Sequence, residues 1–270
     1  MSEQVLAGRV ALVTGASRGI GAAIAERFGR AGATVVVAAR TADPAASRLD
    51  GTIHETAERI RSAGGSAYPI AVDVSVPEER ERLVAEALSA AGTIDVLVNN
   101  AAVTYFVPIR EFTQKRAQLM LDVQVLAPLH LAQLVLPGMV ERNEGWILNI
   151  SSIAARHPQA QTRRAIGGTV YGMCKAALER FTTGLASEVY ASNVAVNALS
   201  PNRVVPTPGT LFHHLTSTDN PDNEDPSVMA EAALALCSAE PSTRTGRIAY
   251  SQDLLDELGI AAAAEHGTPA

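Results

Sequence analysis

Short runs rich in Val and Ile recur along the chain, separated by longer stretches that have the periodicity of helices. The runs are residues 10–13, 34–39, 67–72, 96–99, 146–150 and 194–198. Each run is continuously apolar, without alternation between apolar and polar residues, so both faces of the strand must be covered. This pattern is typical of a parallel sheet with helices on both sides, and it predicts an α/β, doubly wound fold.

The stretches between these runs carry recognisable helix signals. Three of them are residues 52–63, 111–139 and 170–191. A further helix is predicted from a capping box formed by Ser75 and Glu78, with Pro77 in the first turn, to Ala91, after which Gly92 ends it.

Size and charge limit the class of protein. A chain of 270 residues that is 47% hydrophobic is near the upper limit for one core, which predicts a single domain over residues 1–270. The net charge of -6 and the absence of clustered Lys and Arg disfavour a nucleic-acid partner. Residues 1–9 do not resemble a signal peptide, and no uninterrupted apolar run approaches the roughly 18 residues that span a bilayer. We therefore expect a cytoplasmic protein that has no membrane partner.

Cysteine and histidine usage points away from a disulfide framework or a metal site. Cys174 and Cys237 are the only cysteines, and they lack the spacing of metal ligands. His213 and His214 precede several acidic residues, but adjacent histidines in a loop are more often solvated than bound to a metal. They belong to residues 204–226, a long polar segment that we expect to be a substrate loop, a lid or disordered. No metal is predicted.

A glycine-rich turn follows the first run and leads into an amphipathic helix that ends near Arg30. Gly15 would allow the tight turn, Gly19 would let the backbone approach a pyrophosphate, and Gly21 would let the helix pack on the strand. The order strand, turn, helix indicates a Rossmann-type dinucleotide site. The cofactor contacts predicted from the turn are Gly15, Ser17, Arg18, Gly19, Ile20 and Gly21.

The end of the second run bears on which dinucleotide binds. An acidic residue there would bind the ribose 2′-hydroxyl of NAD, but this chain has Ala39, followed directly by Arg40. Arg18 and Arg40 could converge on a 2′-phosphate, which predicts NADP(H) as the preferred cofactor, with NAD(H) possible. Arg40 could instead stack on adenine, and Asp43 could oppose a phosphate.

With Thr14 ahead of the glycine turn, the chain resembles the short-chain dehydrogenase/reductase family over roughly residues 8–207. The motifs that carry the resemblance are Asp73-Val74, Asn99-Asn100-Ala101-Ala102, Ser152, Tyr171 with Lys175, and Asn197 to Pro201. Ala102 departs from the family, which has Gly there. Residues 49–53 and those around Gly246 resemble hydroxysteroid-dehydrogenase-like members, although such similarity does not fix a substrate. The resemblance implies cofactor contacts from Asp73, Val74, Asn100, Ala101, Tyr171, Lys175 and Thr207.

Tyr171 and Lys175 are four residues apart on a predicted helix, so their side chains lie on one face. A phenol has a pKa near ~10, and an adjacent ammonium lowers it, which would make Tyr171 a general acid or base. By resemblance, Lys175 would also hold the nicotinamide ribose. Ser152 would polarise the substrate oxygen at a strand end. Ser151 is the alternative, but strand alternation and the family pattern favour Ser152.

Two further positions depart from the family. Ser152 and Tyr171 are separated by about half a dozen more residues than is usual, which a loop over residues 156–169 must absorb. In that loop, Arg163 and Arg164 could clamp an acidic substrate, although solvation is the commoner role of such residues. Gln124 stands where the family has an Asn that holds a water linked to the lysine; its longer side chain would either replace that water or displace it.

These residues together favour an enzyme that moves hydride between a nicotinamide cofactor and a carbonyl or secondary alcohol substrate. A non-catalytic dinucleotide sensor or scaffold is the alternative, but it would have little reason to keep Ser152, Tyr171 and Lys175. A sugar-nucleotide epimerase or dehydratase would need a larger C-terminal domain. The resemblance also implies a homo-oligomer, a tetramer or dimer, built on residues 111–139 and 170–191.

Overall fold

In a computed structural model of the protein, which describes residues 4–158 and 167–261, the strands form one parallel sheet. The strand order is β3-β2-β1-β4-β5-β6-β7. The strands are β1 (Val10–Thr14), β2 (Thr34–Ala39), β3 (Ser66–Ala71), β4 (Val96–Asn99), β5 (Gly145–Ile150), β6 (Val194–Ser200) and β7 (Ile248–Tyr250). Strands β2 and β3 lie on one side of β1, and strands β4 to β7 lie on the other. This change of side in the strand order opens a crevice at the carboxyl ends of β1 and β4. The predicted doubly wound α/β fold is confirmed.

Helices cover both faces of this sheet. They are α1 (Gly19–Arg30), α2 (Ile53–Ser62), α3 (Pro77–Ala91), α4 (Gln114–Leu121), α5 (Ala127–Arg142), α6 (Thr169–Glu188), α7 (Pro208–Phe212), α8 (Pro226–Ser238) and α9 (Ser251–Leu258). In β2, Val35 and Val37 pack into the core under α1, α2 and α8, while Val36 and Ala38 pack into the core under α3 and α5. Burial of alternate side chains on opposite faces explains why the strands are continuously apolar.

The N-terminus of α3 differs from the prediction. Val76 is the N-cap and makes no side-chain hydrogen bond, so the expected capping box of Ser75 and Glu78 is wrong. The Ser75 hydroxyl instead donates to Asp73 Oδ1 at 2.7 Å, because the nearby carboxylate offers a stronger local acceptor. The end of the helix at Gly92 is as predicted, with φ at 82°.

The predicted helix over residues 111–139 is interrupted. A π-helical turn, Asp122–Leu126, separates α4 from α5. The continuous helical segment Gln114–Arg142 contains an 18-residue window with a mean hydropathy of 1.6, so by length and composition it could cross a membrane, which the criterion of an uninterrupted apolar run missed. The same length and composition also occur in core helices, and α5 buries Leu131, Val135 and Met139 against the sheet.

Candidate active site

The glycine turn lies between the carboxyl end of β1 and the start of α1. Gly15 has φ at +65°, and a Cβ there would lie 2.8 Å from the Cα of Ala101. A Cβ on Gly19, where φ is +56°, would lie 2.8 Å from Thr207 Cγ2. A Cβ on Gly21 would collide with the Asn100 side chain. The three glycines therefore allow the turn to pack closely against neighbouring loops.

Asn100 and Thr14 bind this turn to the end of β4. The Asn100 amide Nδ2 donates to the carbonyl oxygens of Thr14 at 3.0 Å and Gly15 at 3.1 Å. Thr14 Oγ1 accepts from the backbone N–H groups of Asn100 at 3.1 Å and Ala101 at 3.2 Å. Asn100 and Ala101, which the resemblance offered as cofactor contacts, are thus both hydrogen-bonded to the glycine turn or the strand end before it.

Arg18 and Arg40 differ in their surroundings. The guanidinium of Arg18 donates to acceptors in residues 41–51, including Leu49 O at 2.7 Å and Gly51 O at 2.9 Å. Arg40 is exposed, and its side chain makes no hydrogen bond or ion pair within residues 4–158 and 167–261. In this structure the donors of Arg18 have protein partners, and the predicted convergence of both guanidinium groups on a 2′-phosphate stays a prediction.

The remaining predicted cofactor contacts surround the same crevice. Asp73 Oδ1 accepts from the backbone N–H of Ser75 at 3.0 Å. Val74 is buried, and Ile20 packs against the core below the turn. Thr207 is the N-cap of α7, and its methyl group covers Gly19.

Ser152 and Tyr171 come together at the carboxyl end of β5. Ser152 directly precedes a short turn, Ile153–Ala155, that packs against α6 beside Tyr171, and its hydroxyl accepts from the backbone N–H of Ala154 at 3.2 Å. Burial raises the pKa of Tyr171 above its usual value, and the hydrogen bond to Ser152 opposes that rise. The sequence predicted that Lys175 would lower this pKa. In the structure the Lys175 Nζ lies 5.7 Å from the centre of the Tyr171 ring, and burial is the stronger influence.

Lys175 is buried, with 3% of its surface exposed. Its Nζ donates to the carbonyl oxygen of Ile150 at 2.8 Å. Burial lowers the pKa of Lys175 to about 8, and the nearby Cys174 and Glu179 oppose the shift. Loss of the Lys175 proton near pH 8 would therefore change the charge of the site.

Ser151, the competing serine, is hydrogen-bonded to a residue of α6 other than Tyr171. Its hydroxyl donates to Glu179 Oε1 at 2.7 Å, on the side of the sheet covered by α6. Burial raises the pKa of Glu179, and the hydrogen bond from Ser151 opposes that rise. Ser151 is therefore already hydrogen-bonded to a carboxyl group of α6 two turns from Tyr171.

Gln124 lies in the π-helical turn, which packs against α6. Its Nε2 donates to the Val103 carbonyl oxygen at 2.9 Å. Its Oε1 is buried and accepts no hydrogen bond from any residue that the structure describes. The amide thus supports the loop after β4 and leaves one acceptor without a donor.

An aromatic cluster beside Tyr171 was not predicted from the sequence. The Phe106 ring lies 5.9 Å from the Tyr171 ring and 5.4 Å from His213, measured between ring centres. Phe212 in turn lies 5.3 Å from His213. His213 therefore connects residues 204–226, the expected substrate loop or lid, to Tyr171 through Phe106, although solvation was the expected role of this histidine. The long-range contact between Phe106 and His213 leaves no pattern in the local sequence.

Several other predicted features can be located. Cys174 and Cys237 are both free and buried. Arg163 and Arg164 lie outside the described residues. In the described part of the chain, no three His, Cys, Asp or Glu side chains are grouped so that they could hold a metal ion.

The fold and the site define a dinucleotide-binding α/β protein that has a parallel sheet, with a Ser, a Tyr and a Lys grouped at the carboxyl end of one of its strands. The family model for the short chain dehydrogenases matches residues 9–211. The chain belongs to the short-chain dehydrogenase family.

Among curated proteins, the chain is 34% identical over 256 residues to hydroxysteroid dehydrogenase-like protein 2 of Danio rerio, covering 94% of this chain and 60% of that protein. It is 33% identical to human dehydrogenase/reductase SDR family member 4, covering 98% of this chain and 88% of the relative. The chain thus spans only about 60% of the length of the first of these relatives.

Solved structures are similar over nearly the whole chain. A metagenomic short-chain oxidoreductase in complex with NADP has a TM-score of 0.75 at 29% identity, covering 91% of this chain and 98% of its own. L-sorbose reductase from Gluconobacter frateurii, complexed with NADPH and L-sorbose, has a TM-score of 0.77 at 31% identity, covering 92% and 96%.

Proposed function

We propose that the protein catalyses reversible hydride transfer between a nicotinamide dinucleotide and a carbonyl or secondary alcohol. The observation that carries this proposal is the convergence of Ser152, Tyr171 and buried Lys175 at the carboxyl end of β5, where the Lys175 Nζ lies 5.7 Å from the centre of the Tyr171 ring and is hydrogen-bonded to Ile150. The glycine turn also lies at the carboxyl ends of the strands, at the start of α1, where backbone N–H groups favour an anionic pyrophosphate. Gly15 and Gly19 keep this turn tight, because a Cβ on either would meet Ala101 or Thr207 at 2.8 Å.

Each residue would have a separate task. Bound nicotinamide supplies the hydride chemistry. Tyr171 would give its phenolic proton to the substrate oxygen in reduction, or accept one in oxidation. Ser152 would orient and polarise that oxygen with its hydroxyl. Lys175 has one donor bound to Ile150, and its remaining donors would hold the cofactor ribose.

A positively charged Lys175 would also favour the phenolate form of Tyr171. Burial alone makes ionisation of Tyr171 harder, since its pKa is raised in the protein without cofactor. Electrostatic attraction from the ammonium opposes this effect in a poorly hydrated site. Proton transfer would therefore depend on Lys175 keeping its charge.

The preferred cofactor would be NADP(H), with NAD(H) a weaker alternative. Arg40 follows β2 and has free donors, while Ala39 supplies no carboxylate for a ribose 2′-hydroxyl. The NADP and NADPH complexes of the two related structures support this choice. Isothermal titration with both reduced cofactors tests it, and equal affinities would reject the preference.

Turnover has to be tested separately from binding, because a dinucleotide sensor would bind without reacting. The test follows reduced-nicotinamide absorbance with steroid, fatty acyl, sugar and terpene carbonyls as substrates. We expect at least one class to be reduced, and loss of that turnover in Tyr171→Phe. Confirmed cofactor binding without turnover on any class would favour the non-catalytic alternative.

We also propose that the protein is a homo-oligomer, a dimer or tetramer, in the cytoplasm. Leu126, Leu129 and Val140 on the long helical segment are 44%, 36% and 44% exposed, at spacings that place them on one side. Buried free cysteines fit a reducing compartment. Light scattering tests the assembly: Leu129→Glu should lower the mass, and a wild-type monomer at micromolar concentration would reject the proposal.

A further inference from the structure

An arginine lies on the buried face of α3, where the helix otherwise presents apolar side chains to the core. The buried residues of α3 are Arg80, Leu83, Val84 and Ala87, at a spacing that places them on one face. Arg80 is only 4% exposed. Transfer of a guanidinium group from water into such a position is unfavourable unless its donors find acceptors. The partners that Arg80 meets must therefore offset its burial.

Arg80 reaches the π-helical turn between α4 and α5. Its Nη1 donates to the carbonyl oxygen of Leu126, the last residue of that turn, at 3.0 Å. Burial is the main influence that lowers the pKa of Arg80, and the negative charge of Asp122, the first residue of the turn, opposes that shift. One side chain of α3 therefore interacts with both ends of the turn.

The same turn contacts the helix that carries the catalytic tyrosine. Val125 of the turn and Tyr171 both pack against a buried cluster formed by Met120, Val170 and Cys174. Two members of this cluster, Val170 and Cys174, lie on α6 beside Tyr171. Because close-packed interiors transmit strain, a shift of the turn would reach the phenol through this cluster.

The turn is less tightly packed where it faces the sheet. A cavity of about 10 Å³ is lined by Val123, Ala127 and Pro128 on the helical segment and by Thr14 and Asn99 at the strand ends. This volume is at the lower limit for a single water molecule. Packing on the sheet therefore does not fix the turn by itself, and the contact from α3 contributes to its position.

We propose, on the basis of the hydride-transfer function above, that Arg80 is a positioning residue that fixes the π-helical turn and, through that turn, the phenol of Tyr171. Loss of the guanidinium group would take a donor from the Leu126 carbonyl oxygen and remove the attraction for Asp122. An apolar side chain of similar length would fill the same space but supply neither interaction.

This role predicts a larger effect on the chemical step than on cofactor affinity. The π-helical turn packs on the helix of Tyr171, whereas the glycine turn precedes α1 on the opposite face of the sheet. A displaced phenol would transfer its proton less readily to a substrate oxygen. We therefore expect kcat to fall while the KM for the cofactor changes little.

Hydrogen exchange of the cofactor-free protein, read by mass spectrometry, tests the contact with the turn. We expect Arg80→Met to speed exchange in residues 122–130 by about tenfold or more, since the Ala127 amide is hydrogen-bonded to the Asp122 carbonyl oxygen. Arg82→Met is the matched control, because Arg82 makes its ion pairs on the surface of the same helix, and it should leave this exchange unchanged. Exchange as slow as in wild type in Arg80→Met would overturn the proposal.

Steady-state kinetics separate a positioning role from a loss of stability. We expect Arg80→Met to lower kcat by about tenfold or more, to leave the KM for the cofactor within about threefold of wild type, and to change the pH-rate profile, since the surroundings of the Tyr171 proton are altered. Arg82→Met should have none of these effects. A lower thermal stability with kcat and the pH-rate profile of wild type would show a merely structural role and overturn the proposal.

Two further variants keep the test decisive if Arg80→Met does not fold. Arg80→Lys keeps the charge but has fewer donors, so exchange in residues 122–130 should be moderately faster than in wild type and kcat lower by about threefold. Asp122→Asn removes the attraction from the side of the turn and should act in the same direction. Wild-type exchange and kcat in both variants would overturn the proposal. Failure of wild type to bind a dinucleotide or reduce any carbonyl would instead reject the proposed function, while the exchange data still test the contact of Arg80 with the turn.

Discussion

The ammonium group of Lys175 donates a hydrogen bond to the backbone carbonyl oxygen of Ile150 at 2.8 Å. Ile150 ends β5, two residues before Ser152, and Lys175 lies one helical turn beyond Tyr171 on α6. This single bond therefore ties the strand end to the helix at the level where the two hydroxyl groups meet. Asn149 and Ser151 add further hydrogen bonds between this strand end and α6, to Thr182 and Glu179.

Replacing Tyr171 by Phe should abolish most turnover. The change removes the phenolic proton but keeps the ring, so contact with Phe106 is retained. We expect turnover to fall by about a hundredfold or more, the usual contribution of general acid catalysis, with little change in the free energy of unfolding. Steady-state kinetics and urea unfolding measure the two effects. Tyr190→Phe, at a residue that is 57% exposed, is the control; near-normal turnover in Tyr171→Phe would refute the assignment.

Lys175 should make the stability of the cofactor-free protein depend on pH in a defined direction. Unfolded Lys releases its proton near 10.5, whereas burial lowers the pKa of Lys175 in the folded protein to about 8. Between these values the unfolded chain binds more protons, so this residue's contribution to stability rises with pH, by about 3 kcal/mol in all. Below 8 its full destabilising effect is present.

Lys175→Met isolates that contribution. Because the pKa values of Cys174 and Tyr171 are raised, those groups lower stability at alkaline pH, so the informative quantity is the difference between variant and wild type. We expect the variant to gain relative to wild type as pH falls from about 10 to about 7. Lys115→Met, on the surface of α4, should show no such trend. A pH-independent difference for Lys175→Met would contradict the shifted pKa.

The strands could be predicted because burial on both faces of the sheet requires apolar residues at successive positions of each strand. Residues 34–39 and 96–99 are apolar at successive positions, and their bounds agree with β2 and β4. The glycine turn could be predicted for a similar reason, since its tight contacts with Ala101 and Thr207 exclude side chains. In both cases one physical requirement acts on adjacent residues.

The sequence is less informative where the hydrogen-bond partner of a side chain is distant along the chain or is one of several competing groups. Ser75 matched a capping box, but Asp73 offered it a nearer carboxylate. The sequence also does not reveal that the carbonyl oxygens of Leu49 and Gly51 accept hydrogen bonds from Arg18. The π-helical turn at Gln124 likewise depends on packing against α6.

Replacing Gln124 by Asn should lower both stability and turnover. The shorter side chain cannot keep its position and still reach the Val103 carbonyl oxygen, now 2.9 Å from Nε2. We expect a loss of about 1 kcal/mol in the free energy of unfolding and a changed pH-rate profile, because this turn packs on the helix of Tyr171 and Lys175. Gln133→Asn, exposed on α5, is the control. Increased turnover in Gln124→Asn would instead mean that Gln124 obstructs a water that the Asn of other family members holds.

Glu224 holds the base of the segment that carries Thr207 and His213. Its Oε2 accepts from the backbone N–H groups of Asn202 at 2.9 Å and Arg203 at 3.2 Å. Its Oε1 accepts from the Ser251 hydroxyl at 2.6 Å. Every one of these bonds needs an acceptor on Glu224, which a carboxylate supplies on both oxygens.

Replacing Glu224 by Gln should therefore loosen this segment. The new NH₂ group would face either two backbone donors or the Ser251 hydroxyl, so at least one of these bonds is lost or must reverse. We expect a loss of about 1–3 kcal/mol in the free energy of unfolding, faster hydrogen exchange in residues 204–224, and a higher KM with a smaller change in kcat, since Thr207 and His213 border the site. Glu188→Gln, exposed at the end of α6, should change none of these. If exchange in residues 204–224 stays as slow as in wild type, Glu224 does not hold the segment in place.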